Sequence, residues 1–211
     1  SAAFFRNGYQ NQIVAASIAG GAAFTNGGAP LQQGVEFTGQ IDSGSVFRSP
    51  HNLYLRTAYT FLPTAEFRGM RLSSITSSAT LNVYCPTTKR VSATSCSITE
   101  NRLPYAPRVL MTTSIGYSHP RGLDAFVENV YIGRQFGDDL NAVNPNSNGQ
   151  LGAIPSQTYW NATANYRVEK WRTTFFVTGK NLLDRIYIID RTRGLLPSGP
   201  RLVQTGIKVS F

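Results

Sequence analysis

The side chains best suited to acid–base or nucleophilic chemistry are two histidines. His51 lies in RSPHN and His119 lies in SHPRG, and both segments are typical of short turns. A hydrolase needs a nucleophile held beside a base, most often a histidine, and neither histidine has an evident partner. The sequence also has no GxxxxGK[ST] or GxGxxG phosphate loop. We therefore predict no catalytic residue and no cofactor.

Asp138 and Asp139 form the one pair of adjacent acids in the chain. Hard cations bind carboxylate oxygens, but two acids and a nearby asparagine are too few to specify a metal site. We interpret the pair as the solvated end of a loop, and we predict no metal site.

The two cysteines, Cys85 and Cys96, lie in a polar stretch, YCPTTKRVSATSC. Their spacing suits a disulfide that closes a loop in an oxidising compartment, and two free thiols are the alternative. A zinc site would need more ligands, and both histidines are distant in the sequence.

The chain is basic, with 20 Lys and Arg against 11 Asp and Glu and a formal net charge of +9. Such a charge can attract nucleic acid, anionic lipid headgroups or an anionic small ligand. The basic residues are scattered, and the densest positions are Lys89–Arg90 and Arg191-Thr-Arg193. Because nucleic-acid-binding segments cluster Lys and Arg, we predict no nucleic-acid partner.

Alternation of apolar and polar residues predicts an all-β fold. Val35, Phe37 and Ile41 alternate with polar residues, as expected of a half-buried strand. No apolar run reaches the roughly 18 residues of a transmembrane helix. The fifth strand segment alternates poorly, which a β-bulge would explain. Eight segments have strand character: 3–18, 33–47, 52–62, 107–118, 122–135, 157–168, 171–184 and 201–211.

The connections between these segments alternate between short and long. The short ones are 48–52, 119–122 and 168–170, and the long ones are about 19–32, 63–106, 136–156 and 185–200. In an up-and-down barrel, this order gathers the short turns at one end and the long loops at the other, as in bacterial outer-membrane barrels. The sequence therefore predicts an antiparallel transmembrane β-barrel of about eight strands in the bacterial outer membrane.

The two faces of the predicted strands differ as a membrane barrel requires. Several charged residues lie on polar faces and suit a water-filled or plugged lumen: Glu36, Asp42, Arg56 and Arg167. Aromatic residues on the apolar faces lie near strand ends, where aromatic girdles belong: Tyr59, Phe61, Tyr117, Trp160, Tyr166, Trp171 and Phe211.

Several longer segments occur in a distinctive order and spacing. They are FFRNGYQNQIV (4–14), GVEFTGQ (34–40), NRLPYAPRVLMTTSIGY (101–117), VYIGRQFGDDLN (130–141), VTGKNLLDRIYI (177–188) and the terminal IKVSF. Together they resemble TonB-dependent outer-membrane transporters, in which an Asn-Leu-x-Asp-x-x-Tyr segment marks the penultimate strand and the last strand ends in Phe. The resemblance covers essentially the whole chain.

The resemblance implies that the chain is part of a larger receptor. Barrels of this family have twenty-two strands around an N-terminal plug, so residues 1–211 would be a single C-terminal portion, about the last third. On this resemblance the plug and the N-terminal strands would be absent from this chain, and Ser1 fits an internal start. The implied partners are the remaining strands and plug, the inner-membrane TonB complex through that plug, and outer-membrane lipid and lipopolysaccharide. Phe211 would belong to the signal read by the barrel-assembly machinery.

The last loop and strand, RIYIIDRTRGLLPSGPRLVQTGIKVSF, resemble those of ferric-citrate or ferric-siderophore receptors. We therefore expect uptake of a ferric chelate, whose anionic groups arginines can bind bidentately. The alternative is that these basic residues face lipopolysaccharide phosphates or solvent. The candidate ligand-binding residues are Lys89, Arg90, Arg102, Arg191, Arg193 and Arg201.

Two other functions remain open from the sequence. A self-contained eight-stranded barrel with a structural or adhesive role requires segment 3–18 to pair with segment 201–211. An outer-membrane enzyme would require His51 or His119 to act as a base, although both lie at the predicted periplasmic end.

Overall fold

The computed structural model describes residues 1–10, 13–15, 24–26 and 29–210. Within these residues, eight long strands form one antiparallel sheet. Phe211, which we predicted to be part of the assembly signal, lies outside the described residues. The strands are β1 Ala2–Gly8, β2 Leu31–Asp42, β3 Asn52–Glu66, β4 Val109–His119, β5 Leu123–Ile132, β6 Gln157–Val168, β7 Thr173–Lys180 and β8 Leu202–Val209.

The sheet is a meander in which each strand pairs with its neighbours in the chain. The turns from β2 to β3, β4 to β5 and β6 to β7 are short, and they all lie at one end of the sheet. The first contains helix α1, Ser43–Phe47, and the third contains a 3₁₀ turn, Glu169–Trp171. The predicted alternation of short turns and long loops is confirmed.

The long loops contain small elements of their own. These are helix α2, Ser78–Tyr84, and a 3₁₀ turn, Thr87–Lys89. Among the described residues, no helix has the length and apolar character needed to cross a membrane. Four short strand pairs complete the loops: Ile13–Ala15 with Phe24–Asn26, Arg90–Ser92 with Ser95–Cys96, Gln135–Phe136 with Ala153–Ile154, and Ile188–Asp190 with Leu196–Pro197.

The sheet is open across the part of the chain that the structure describes. There β1 pairs only with β2, and β8 pairs only with β7. The self-contained barrel required β1 to pair with β8, so the structure does not contain the closure on which that hypothesis depends.

Two predicted strands end earlier than expected. Segment 33–47 leaves the sheet at Asp42, whose carboxylate accepts the Ser45 N–H at 2.9 Å and caps helix α1. Segment 171–184 contributes only Thr173–Lys180 to the sheet, since Asn181 has a φ of 50°, outside the β region.

The first predicted strand is divided. Of segment 3–18, only β1 belongs to the sheet, whereas Ile13–Ala15 pairs with Phe24–Asn26. Residues 11–12 and 16–18 of the prediction lie outside the described residues.

The β-bulge that we offered as an explanation for the fifth strand is not found there, and the sheet instead has a bulge in β2. Strand β5 keeps a continuous register with both neighbours, and the register instead shifts between Gln33 and Val35. Strand β5 alternates poorly because Phe126 and Val130 lie on the same face as the acidic residues Asp124 and Glu128. The poor alternation of β5 thus results from apolar and acidic residues on one face of the strand and not from a β-bulge.

One face of the sheet is apolar and exposed. The exposed fraction is 69% at Ile41 and 64% at Ile115 and Ile207. Removing apolar surface from water is the main driving force of folding, so such a face is suited to lipid. On the opposite face polar side chains pair across strands, and Asn161 donates to the Glu128 carboxylate at 3.0 Å.

A tyrosine packs over a glycine on this polar face. Tyr54 of β3 is only 4% exposed, and its ring covers Gly116 of β4, where a β-carbon would overlap the ring. Its hydroxyl donates to Asp124 at 3.0 Å, and the Arg56 guanidinium lies 4.4 Å from the ring centroid. Glycine at position 116 therefore allows a buried aromatic contact inside the sheet.

Candidate functional site

Three of the long loops fold together at one end of the sheet. We call residues 67–106, 133–156 and 181–201 the loop cap. The first two segments share a hydrophobic core in which Leu81 and Ile98 are completely buried. This core lies mainly outside the strands, so the loops form a packed structure in their own right. Its buried members are Ala65, Phe67, Ile75, Leu81, Cys85, Cys96, Ile98, Leu103, Ala106, Leu140, Ala142 and Leu151.

A disulfide crosses this core. Cys85 and Cys96 are joined, with 6.0 Å between their Cα atoms, and both side chains are buried. Helix α2 leads directly into Cys85, whose N–H donates to the Leu81 carbonyl, and Ser77 caps the helix start. The bond therefore fastens α2 to the short strand that contains Cys96.

Asp138 and Asp139 link two loops from inside the cap, and our interpretation of them as a solvated loop end is wrong. Asp138 is 0% exposed and accepts the N–H groups of Ala142 at 3.0 Å and Gly152 at 2.9 Å. Asp139 accepts the Ser73 hydroxyl at 2.7 Å. Because the pair lies in a polar-looking stretch, alternation alone could not reveal its burial.

Burial also changes the titration of Asp138. It raises the pKa of Asp138 above its ordinary value, and the N–H groups of Gly152 and Ala142 oppose the shift. The carboxyl group is satisfied by backbone donors, which leaves it suited to holding loops together. The described residues contain no group of three His, Cys, Asp or Glu side chains that could hold a metal.

Arg102, a predicted ligand residue, bridges backbone segments. Its guanidinium donates to three carbonyl oxygens, those of Leu62 at 2.7 Å, Pro63 at 3.1 Å and Ala106 at 2.7 Å. Burial lowers its pKa below the ordinary arginine value, and the nearby charge of Arg108 lowers it further. These contacts assign the side chain a role in positioning the loop.

Arg191 is also internal, being only 4% exposed. Its side chain donates to the carbonyls of Gly149 at 2.9 Å and Ala153 at 3.2 Å, which belong to a different loop. Next to it, the Tyr105 hydroxyl contacts Asp190 and receives the Arg191 N–H at 3.1 Å. Arg191 and Tyr105 thus join all three segments of the loop cap.

The Asp190 carboxylate lies beside these residues and remains easily ionised. Burial raises its pKa, but hydrogen bonds from Tyr105 and Thr192 outweigh burial, so its pKa is lower than usual. Burial raises the pKa of Tyr105, and the hydrogen bond between Tyr105 and Asp190 raises it further.

Two arginines of the cap have buried nitrogens that lack hydrogen bonds. Among the described residues, Nε and one terminal nitrogen of both Arg71 and Arg90 have no partner. Arg71 lies over the Phe67 ring at 4.8 Å, and burial lowers its pKa. A buried donor without a partner costs free energy, and an anion bound here would remove that cost. Arg90 was predicted from the sequence, whereas Arg71 was missed because RGMRL carries no distinctive pattern.

The remaining predicted residues differ in exposure. Lys89 is half-buried and donates to the Thr99 carbonyl at 2.8 Å and to Asn101. Arg193 and Arg201 are exposed. The six predicted residues therefore fall into three groups. Lys89, Arg102 and Arg191 are positioning residues inside the cap, and Arg193 and Arg201 are exposed. Arg90 is half-buried, donates to Asn82 and has two nitrogens without hydrogen bonds.

The two histidines do have partners, contrary to the sequence prediction. Their ring centroids are 4.9 Å apart, with His51 just before β3 and His119 at the end of β4. His51 Nδ1 lies 2.7 Å from the Tyr117 hydroxyl. The Arg121 N–H donates to His119 Nδ1 at 3.1 Å. The group lies at the short-turn end and includes no nucleophile in these contacts, so it does not resemble a hydrolytic site.

A comparison with protein families finds a match for most of the chain. The family described as "TonB dependent receptor-like, beta-barrel" matches residues 1–182. A comparison with curated protein sequences finds no match.

Solved structures with the same fold include three receptors. The ferric citrate transporter FecA in its unliganded form has a TM-score of 0.67 and 20% identity, with 98% of this chain and 28% of that chain covered. The siderophore receptor PiuA from Acinetobacter baumannii has a TM-score of 0.60 and 19% identity, with 98% and 26% covered. The ferric yersiniabactin uptake receptor FyuA from Yersinia pestis has a TM-score of 0.56 and 17% identity, with 97% and 25% covered. The chain thus spans little more than a quarter of the length of these proteins.

Proposed function

The chain belongs to the family of TonB-dependent receptor β-barrels, whose members are receptors and transporters of the Gram-negative outer membrane, and we propose that it takes part in the uptake of an anionic ferric chelate. The observation that carries this proposal is the pair of arginines, Arg71 and Arg90, with buried unpartnered nitrogens in the loop cap. Guanidinium groups bind carboxylates in a planar, bidentate way that lysine does not reproduce.

The names of the structural neighbours support an iron chelate as the cargo. They are a ferric citrate transporter, a siderophore receptor and a ferric yersiniabactin uptake receptor. Identity of 20% or less supports the shared fold alone, so the chemistry of the cap must select the ligand. Its basic character favours citrate-like or other carboxylate-rich chelates over neutral ones.

We assign different roles to the predicted arginines within this proposal. Arg90, Arg193 and Arg201 would contact the chelate, together with Arg71. Arg102, Arg191 and Lys89 would hold the loops in the shape that presents those side chains, because their donors are already bonded to backbone or side-chain oxygens of the cap.

We also propose that this chain is one part of a larger receptor. Unpaired backbone groups in lipid cost several kcal/mol each, so the outer edges of β1 and β8 would pair with further strands of a twenty-two-stranded barrel. Residues 1–211 would then be the C-terminal portion, with a plug supplied elsewhere and the inner-membrane TonB complex acting through that plug.

The uptake proposal is testable in a strain that carries the full-length gene as its one receptor for the chelate. Growth on ferric citrate or on a siderophore as the iron source would be compared for wild type and for Arg71→Gln with Arg90→Gln. We expect uptake of the carried chelate to fall about tenfold or more, which corresponds to the loss of charged hydrogen bonds.

A matched control replaces two exposed arginines near the strand ends, Arg108→Gln with Arg134→Gln. This variant should take up the chelate as wild type does, and Arg71→Lys with Arg90→Lys should recover only part of the activity. Unchanged uptake of every chelate by the Arg71 and Arg90 variant, with normal amounts at the cell surface, would contradict the proposed site.

A further inference from the structure

Exposed aromatic side chains lie next to arginines at the short-turn end of the sheet. Phe47 is 77% exposed and Trp171 is 62% exposed. Each immediately precedes an exposed arginine, Arg48 and Arg172, and the remaining short turn, from β4 to β5, adds the exposed Arg121. We call these five residues the turn rim.

Two of these turns end in the same backbone conformation despite different sequences. Helix α1 and the 3₁₀ turn Glu169–Trp171 both end at an arginine in the left-handed region, with φ of 50° at Arg48 and 47° at Arg172. Glycine and asparagine adopt this conformation more readily than arginine does. The fold therefore places an aromatic–arginine pair twice at the same end of the sheet, at positions where arginine is not the residue that the backbone favours.

The arginines of the turn rim form no ion pair with an acidic side chain among the described residues. Within the described residues the two ion pairs are Arg68 with Glu66 and Arg167 with Glu169, so Arg48, Arg121 and Arg172 form none. The rim thus combines three uncompensated cations with two exposed aromatic rings.

Polar-tipped rings lie behind the rim. Tyr117 and His51 are hydrogen-bonded at 2.7 Å, and His119 packs against His51. Tyrosine and tryptophan are enriched at the boundary between the apolar core of a membrane and its headgroups. Tyr117 lies at the same end of the strands as Trp171 and the rest of the turn rim.

We propose that the turn rim binds the phosphate groups of anionic phospholipids in the leaflet beside the short turns. This inference rests on the proposed function, because that function places the sheet in the outer membrane, where the short turns of such barrels lie on the periplasmic side. The guanidinium groups would bind phosphate bidentately, and the rings of Phe47 and Trp171 would lie among the upper acyl carbons. A zwitterionic headgroup offers a cancelling positive charge and binds less tightly.

The test is lipid retention by the full-length protein in detergent, measured by native mass spectrometry. Phosphatidylglycerol and phosphatidylethanolamine with the same acyl chains would be added in equal amounts. We expect wild type to retain phosphatidylglycerol preferentially. The preference should fall by about fivefold for each arginine replaced, in the variants Arg48→Gln, Arg121→Gln and Arg172→Gln. This is the effect of removing about one charge near an anionic surface.

The matched control carries Arg108→Gln, Arg134→Gln and Arg185→Gln, three exposed arginines at the long-loop end. It should keep the preference, whereas Phe47→Ala with Trp171→Ala should weaken retention of both lipids. Equal retention of the two lipids by wild type would overturn the inference, as would a preference lost only in the control variant, which would indicate lipid phosphates at the other end. Uptake of the ferric chelate, measured separately, would show whether the proposed function fails independently.

Discussion

Ile98 in the loop cap and Ile115 in β4 are the same residue type in opposite surroundings. Ile98 is completely buried among the side chains of the long loops, and Ile115 is 64% exposed on the apolar face of the sheet. The cap follows the rule of a protein in water, with its apolar groups inside. The sheet follows the rule of a strand in lipid, with apolar groups outside and polar pairs inside.

The difference also appears in how each region is held together. The strands are joined by backbone pairing, continuous from β4 through β6, that depends little on which side chains are present. The loop cap depends on particular side chains, namely a disulfide, two buried aspartates and internal arginines. Single substitutions should therefore affect the cap more than the lipid-facing side of the sheet.

The largest effect is expected from the matched pair Ile98→Ala and Ile115→Ala. Removing the Ile98 side chain leaves a cavity in a closed core and should lower the free energy of opening the cap by about 2–5 kcal/mol. Ile115→Ala should cost about 1 kcal/mol or less, since lipid or detergent fills the space. Hydrogen exchange of peptides from 67–106 and from β4 would measure both, and similar losses would remove the distinction between the regions.

The next effect concerns the disulfide. Cys85→Ala with Cys96→Ala should destabilise the cap by about 3 kcal/mol, because the open chain gains the freedom of a loop of this size. Exchange should accelerate in residues 67–106 and remain as in wild type in β5 and β6. Faster exchange throughout the sheet would show that the cap and the strands unfold together.

Within the sheet, we expect substitutions on the polar face to lower stability more than substitutions on the lipid-facing side. Gly116→Ala displaces the Tyr54 ring and its hydrogen bond to Asp124, with an expected cost of about 1–3 kcal/mol. Gly8→Ala is the matched control, because a β-carbon there meets nothing within 4 Å. Denaturant unfolding of the two variants in detergent should differ, and equal stability would argue against the Tyr54 packing.

The smallest effect is a pH dependence specific to the cap. Because the folded-state pKa of Asp138 is raised, its protonated form favours folding. Its contribution is complete below the ordinary value near 3.8 and declines as pH rises through the raised pKa. Exchange from residues 133–156, compared between wild type and Asp138→Asn across acidic pH, should show this trend in wild type alone. A parallel pH profile in the variant would exclude Asp138 as its source.

The sequence predicted the strands better than the loops for a physical reason. A strand with one face in lipid alternates, as at Val35, Phe37 and Ile41, so its existence can be read locally. The alternation of short and long connections then predicted an outer-membrane barrel. Predicted strand ends were wrong where a single residue sets the end of the strand. Asp42 is an example, because it caps helix α1 and so ends β2.

The candidate site was less predictable because its contacts join distant segments. Arg102 and Arg191 look like any basic loop residue in sequence, but the fold uses their guanidinium groups to bind carbonyls. Asp138 and Asp139 look solvated because their stretch is polar, yet 65 residues or more separate Asp139 from its serine partners. No local pattern contains such pairings, so only the folded chain reveals them.

The comparison between the two regions is tested most directly by labelling from outside the cell. Met70→Cys lies in the loop cap at a position that is 98% exposed, and Phe47→Cys lies in a short turn. A maleimide too large to pass outer-membrane pores would be added to intact cells that produce each full-length variant. The account predicts labelling of Met70→Cys in intact cells and of Phe47→Cys only after the outer membrane is permeabilised. The reverse order, or equal labelling of both in intact cells, would contradict it.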